Sequence, residues 1–549
     1  MISLFNFFDL KMARRLSNSS ILLLPIAFLW ILVTVNSSLE NWPNHGGDLQ
    51  NMRYASKETK ISPKTVQNMK LKWKFEAQND ITATPAIYNG ILYFPSWDGY
   101  VYAVKASSGS LVWKQFIQGL TGIPSTGLVV NVNVTVARAT PTVAPDLGLL
   151  IVGLYGPSCV LGLRINDGSL VWMTKLDAHN DSLITMSGTY YNRAFYVGVS
   201  SLEEERSIEE CCHFRGSFVK IDAKTGVILW KTYMLPNNNG QRGEYAGAAI
   251  WGSSPPIDAP RKLVYIATGN LYSAPQRIRD CSERENNQTF PTNTTSCVEP
   301  ENHSNSFLAL ELDTGNIKWY HQIGGYDVWF FACHNISSSP DCPPGPNPDA
   351  DFAEAPMLLT VNINSTRRDI AVATQKSGFT WALDRDTGDL VWSTEAGPGG
   401  LGGGGIWGSA TDGKRVYTNI ANTDQQNFVL RPSNKNTTAG GWVAMEAPTG
   451  KVLWSLGNPS NASAQGPVTV ANGVVFAGST NNVTGPIYAI DAKVGNILWS
   501  YDTGATIYGG VSVSDGCIYF GHGYKVGLGY FNPAFSTGKS LFCFCVDKD

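Results

Sequence analysis

Basic clusters are missing from this 549-residue chain: beyond the first 38 residues no run of Lys or Arg gathers, and the formal net charge is −3. Binding a nucleic-acid backbone needs a basic patch or stripe, so nucleic acid is excluded as a partner. Cys-x-x-Cys-His is absent too, which excludes a covalently attached c-type haem module. The apolar run Ile21 to Val35 falls short of the about 20 residues that a membrane helix needs. Arg14 and Arg15 precede this run and Ser37 and Ser38 follow it, the layout of a secretory signal peptide over residues 1–38. Its cleavage would leave no stable membrane span and a secreted, extracellular product.

The cysteine content agrees with export. Ten cysteines fit an oxidising compartment. Cys281 with Cys297, and Cys333 with Cys342, bracket Asn-, Pro- and Ser-rich insertions and are the expected loop staples. Ten Asn-x-Ser/Thr triplets follow the signal, among them Asn133, Asn287, Asn293, Asn302, Asn335 and Asn482. With a signal peptide they point to a glycoprotein.

What the chain has in abundance is a repeat. VYAVKASSGSLVW, LGLRINDGSLVW, FVKIDAKTGVILW, FLALELDTGNIKW, FTWALDRDTGDLVW, WVAMEAPTGKVLW and IYAIDAKVGNILW end at Trp113, Trp172, Trp230, Trp319, Trp392, Trp454 and Trp499. In each, a Gly stands four residues before the Trp. Alternating apolar residues give a half-buried strand. Asp, Thr and Gly then give a turn, and a second strand ends on an indole large enough to wedge between sheets. Two more strands usually precede each copy, as in ATPAIYNGILYFPS and GPVTVANGVVFAGS. Four strands per unit is the blade of a β-propeller. The C-terminal stretch supplies three strands without a Trp, and LKWKF supplies an orphan strand with Trp73. Pairing them closes the ring and removes exposed sheet edges. Residues 39–549 are therefore expected to form one all-β, eight-bladed propeller; seven blades with a stray strand is the alternative.

The AxDxxTGxxxW repeats resemble those of the pyrroloquinoline quinone (PQQ) dehydrogenases, eight-bladed propellers of the methanol and alcohol dehydrogenase type. WPNHGGDLQNMRYAS resembles that family's N-terminal Trp-x-x-x-Gly-x-Asp-x-x-x-x-Arg-Tyr-Ser segment. VGVSSLEE, CCHFRGS and IATGNLYSAP are most similar to the polyvinyl-alcohol dehydrogenase subgroup. The resemblance implies roles for particular residues. In IWGSSPPIDAPRKLVYIATGN it makes Trp251 the floor beneath the cofactor and Asn270 a calcium ligand. It places the calcium-binding Glu on Glu203, with Glu204 as the other register. Lys376, in TQKSGFTWALDRDTG, would contact the quinone oxygens. Asp349 or Asp351, in PDADFAEAP, would be the catalytic base. Arg138 and Thr185 fall near a cofactor-carboxylate Arg and a hydroxyl contact. Methanol-type enzymes set a vicinal disulfide against the cofactor; Cys211 and Cys212 match it in type, though not in position.

These residue types suit that chemistry. PQQ is a planar tricarboxylate with an ortho-quinone, so an indole can fix its plane and cations can offset its charge. Ca²⁺ is a hard cation that takes carboxylate and carbonyl oxygens and acts as a Lewis acid on a carbonyl. A carboxylate removes the alcohol proton while hydride passes to the quinone. The substrate would be a small-molecule or polymeric alcohol, and without haem an external electron acceptor must take the electrons. The competing function is a non-catalytic, glycosylated propeller that binds or scaffolds a partner through its stapled loops.

Overall fold

The computed structural model describes residues 40–127, 129–286, 297, 299–324, 326–334, 342 and 347–546. The expected signal peptide and the triplets at Asn287, Asn293 and Asn335 lie outside the described residues. In the first blade, Ala86–Tyr88, Ile91–Pro95, Tyr100–Lys105 and Leu111–Phe116 form an antiparallel meander. Seven further sheets of four or more strands follow among the described residues. The chain is an eight-bladed β-propeller.

The fixed Gly-to-Trp spacing has a packing cause. In the third blade Asp222 accepts the Lys224 and Thr225 amides and the Thr225 hydroxyl, which shapes the turn. Gly226 closes it at φ +79, where a Cβ would lie 2.7 Å from the ring of Trp172 in the blade before. The Trp172 indole donates to the Ala223 carbonyl at 3.0 Å. Trp113 repeats both contacts on Gly168 and Ile165, and Trp319 does so on Gly388 and Arg385. Each indole thus joins its own blade to the next, with one hydrogen bond and a large apolar area.

The ring is closed by the N-terminal strand. Lys70–Glu76 pairs antiparallel with Ser540–Cys545, which pairs with Cys517–Gly521 and, through it, with Ser512–Ser514. Trp73 faces Gly109 of the first blade and donates to the Ala106 carbonyl at 2.9 Å. It fills the eighth Trp position. Trp499 meets no such glycine turn, because the last sheet is assembled from both chain ends; its ring packs edge-on against Phe544 instead.

Cys281–Cys297 and Cys333–Cys342 are disulfides, and Cys517–Cys545 adds a bond inside the closing sheet that the sequence did not suggest. Asn302 is buried and its side-chain carbonyl accepts the Ser304 amide, so that triplet is closed to a glycan in the folded chain. Asn133 and Asn482 are exposed. Among the described residues no helix is long and apolar enough to cross a membrane.

Candidate functional site

Residues far apart in sequence meet at a cavity of about 340 Å³, within the size range of small-ligand sites. Arg138, Thr185, Trp251, Asp349, Asp351 and Lys376 all line it. Glu204 lines it as well, whereas Glu203 does not. Asn270 sits directly behind the wall: its backbone N–H donates to Asp351 Oδ1 at 2.8 Å. Its Nδ2 donates to the Leu271 and Trp329 carbonyls at 2.9 Å each. Cys211 and Cys212, bonded to each other, are not in the lining; Cys212 is buried in an apolar cluster with Phe214.

Close packing explains the Thr-Gly-Asn segment. A Cβ on Gly269 would fall 2.2 Å from Asp351 Oδ1 and 2.9 Å from Trp251 Nε1. Only glycine lets that carboxylate and that indole share the wall. Thr185 turns its hydroxyl to the Trp251 carbonyl and to Ser200 Oγ, so it fixes the Trp251 backbone.

The charges are arranged in two groups. Lys376 Nζ donates to Asp349 Oδ2 at 2.9 Å and to Asp351 Oδ2 at 2.7 Å. Burial pulls the Lys376 pKa down, but Asp349, Asp351 and Glu204 outweigh it and hold the ammonium charged. Burial raises the Asp349 carboxyl well above its ordinary range against the pull of Lys376. Burial and the nearby Asp351 raise Glu204 likewise. Arg138 forms the second group, within an aromatic cage. Its guanidinium carbon lies 4.5 Å from the Trp407 ring centre, 5.5 Å from Tyr155, 5.6 Å from Tyr524 and 5.8 Å from Tyr508. The polar groups acting on its charge are the three tyrosine hydroxyls rather than carboxylates. Such a buried cation is a receptor for an anion.

Glu203 lies off the cavity wall, in a cluster with His179 and His213. Its carboxylate accepts the His213 amide at 2.9 and 3.0 Å and the Phe214 amide at 2.8 Å, with His179 Nε2 at 3.0 Å. The Asp181 amide donates to His179 Nδ1 at 3.1 Å, so Nε2 carries the proton and donates to Glu203. Glu203, His179 and His213 form a satisfied clamp on the loop that follows the vicinal cysteines. Glu204, one residue on, is the carboxylate that reaches the cavity.

Three buried polar atoms of this region find no partner among the described residues: Asn270 Oδ1, Asp349 Oδ1 and Trp251 Nε1. Buried acceptors are normally bonded. The free Asn270 Oδ1 and the Glu204 carboxylate suit a hard cation, and the aromatic and cationic walls suit a planar anion. Trp407, Tyr508 and Tyr524 were not anticipated from the sequence. Trp407 had a usable signal: Ile406-Trp407-Gly408-Ser409 repeats the Ile250-Trp251-Gly252-Ser253 word. Both tryptophans line the cavity.

Repeats and chamber together define a propeller of the quinoprotein dehydrogenase type. The family model described as "Glucose/ethanol/alcohol dehydrogenase, beta-propeller domain" matches residues 42–128 and 166–399, more than half of the chain. The chain belongs to this PQQ alcohol dehydrogenase-like family. A second model, outer membrane protein assembly factor BamB, matches residues 376–521. The polyvinylalcohol dehydrogenase of a Pseudomonas species is 27% identical over 526 residues, covering 89% of this chain and 74% of that protein. The polyvinylalcohol dehydrogenase of a Sphingopyxis species is 26% identical over 522 residues, covering 88% and 72%. Among solved structures, the quinohemoprotein alcohol dehydrogenase from Comamonas testosteroni shares the fold with a TM-score of 0.68 at 19% identity. That match covers 93% of this chain and 81% of that one.

Proposed function

We propose that the chain is an exported alcohol dehydrogenase that uses PQQ and calcium and passes its electrons to an external acceptor. The observation that carries this reading is the convergence of Trp251, Arg138, Lys376, Asp349, Asp351 and Glu204 on one cavity. The relatives named polyvinylalcohol dehydrogenases, which align over most of the chain, support a polymeric or secondary alcohol as substrate.

When bound, PQQ and calcium supply a hydride-accepting ortho-quinone and the Lewis acid that polarises it. The chain supplies position and charge. Trp251 is a flat wall for a planar ligand, and Thr185 keeps its backbone in place. Glu204 and the free Asn270 Oδ1 are the oxygen ligands for calcium. Arg138 meets a ligand carboxylate from inside its aromatic cage. Lys376 has three N–H donors and spends two on Asp349 and Asp351, which leaves one for a quinone oxygen. Asp349 takes the alcohol proton on Oδ1, the oxygen without a partner. Proton transfer to such a positioned carboxylate typically contributes about 10²–10⁴-fold.

The test is dye-linked alcohol oxidation by the full chain supplied with PQQ and Ca²⁺. Turnover of a secondary or polymeric alcohol that Asp349→Ala abolishes, with PQQ binding retained, is the expected result. PQQ binding without oxidation of any alcohol would make the chain a binding propeller.

A further inference from the structure

We propose that Asp327 is a positioning residue that sets both the Asp349 base and the Asn270 ligand, an inference that rests on the dehydrogenase reading above. Asp327 is buried and does not line the cavity, so it acts on the site through other residues. Its carboxylate is surrounded by donors. Oδ1 accepts the Asp349 amide at 3.2 Å, and Oδ2 accepts the Ala350 amide at 2.7 Å and Asn305 Nδ2 at 2.9 Å. Three N–H groups facing one side chain call for an acceptor-only group, which an ionised Asp is and an Asn is not.

The turn it holds needs outside support. Asp349 has φ +56, a left-handed conformation uncommon for a residue with a side chain, and such conformations persist only where neighbours over-determine them. The covalent chain does not supply this, because the Cys333–Cys342 insertion lies between Asp327 and Asp349. The carboxylate spans the insertion and fixes the turn on its far side.

The same short segment orients Asn270. The Leu271 amide donates to the Asp327 carbonyl at 3.0 Å, and the Trp329 amide donates to the Leu271 carbonyl at 2.9 Å. This pairing presents the Trp329 carbonyl to Asn270 Nδ2 at 2.9 Å. With its Nδ2 tied there and to the Leu271 carbonyl, the amide has one orientation, and Oδ1 is the atom left free. Asp327-Val328-Trp329 is thus a splint: its carboxylate sets the base and its backbone sets the ligand.

The experiment compares the full-length wild type with Asp327→Asn and with the milder Asn305→Gly, which removes only the lateral donor. The first readout needs no cofactor: amide hydrogen exchange of the peptide carrying Asp349 and Ala350. It should quicken about 10-fold or more in Asp327→Asn, and less in Asn305→Gly, while distant blades keep their protection. The second readout is steady-state kinetics with PQQ and Ca²⁺. Here kcat should fall about 100-fold with KM little changed, as expected when a base is misplaced, and the acid limb of the pH profile should move. Unchanged exchange in Asp327→Asn, or a kcat loss matched by loss of folded protein, overturns the proposal. If Asp327→Asn does not fold, Asn305→Gly carries the same test. A wild type that oxidises no alcohol defeats the dehydrogenase reading, and the exchange result still decides the role of Asp327.

Discussion

Glu203 and Glu204 are neighbours with opposite expected phenotypes, so substituting each by Gln is a sharp perturbation. Glu203 accepts two backbone amides and one imidazole N–H. A Gln there turns an NH₂ group toward at least one of these donors, and each buried donor left unpaired costs about 1–3 kcal/mol. The loss should therefore be about 2–4 kcal/mol. At about 2.1 cal/mol/K per residue, unfolding a domain of about 500 residues carries roughly 1 kcal/mol per degree, so Tm should drop by about 2–4 °C. Glu204 faces the cavity, and burial with the Asp351 charge already disfavours its ionised form. Glu204→Gln should leave the metal-free Tm unchanged or higher. Loss of a charged oxygen ligand should weaken Ca²⁺ binding about 100-fold or more. The assays are thermal melts of metal-free protein and calorimetric Ca²⁺ titration in the presence of PQQ. Weakened Ca²⁺ binding in Glu203→Gln, with Glu204→Gln binding normally, would reverse the two assignments.

Two further perturbations test the frame around the site. Glu354 is fully buried with one oxygen unpaired, and burial pushes its pKa from about 4.5 up to about 7. A carboxyl whose pKa is raised on folding adds stability below pH 4.5 that fades as pH climbs through 7. Urea unfolding at pH 4.5 and 8.5 should therefore show Glu354→Gln sparing about 3 kcal/mol of the wild-type loss; equal pH dependence in both proteins would contradict it. Trp73→Ala removes the indole that joins the last blade to the first and should cost about 3–5 kcal/mol in denaturant unfolding. A cost no larger than that of an exposed aromatic would mean the closing strand adds little.

The fold was legible because seven copies of one hairpin carry the same Gly-to-Trp spacing, and that spacing is a contact between blades. Trp172 on Gly226 illustrates it. The site was legible in part, where a sequence motif carried the residue: Trp251, Lys376, Asp349 and Asp351 reach the cavity. The Glu register was not legible, for a geometric reason. Glu203–Glu205 form one turn of 3₁₀ helix, and at three residues per turn successive side chains leave in directions about 120° apart. Three identical residues then point three ways, and only the surrounding structure turns Glu204 to the cavity. Cys211 and Cys212 matched a chemical type at a different place in the chain, and the folded chain sets them outside the cavity wall. Trp407 lies outside the hairpin repeat, and only the Ile-Trp-Gly-Ser word it shares with Trp251 marks it. Asp327 was unreadable because the turn it holds, at Asp349 and Ala350, lies beyond an insertion.

PQQ and calcium together are the occupants proposed for this cavity. The most direct test is calorimetric titration of PQQ into the purified full chain, first with Ca²⁺ and then with EGTA. Saturable one-site binding that EGTA removes and that Asn270→Ala or Glu204→Gln weakens is the expected result. Absence of binding heat at any Ca²⁺ concentration, or binding indifferent to EGTA and to both substitutions, would contradict it.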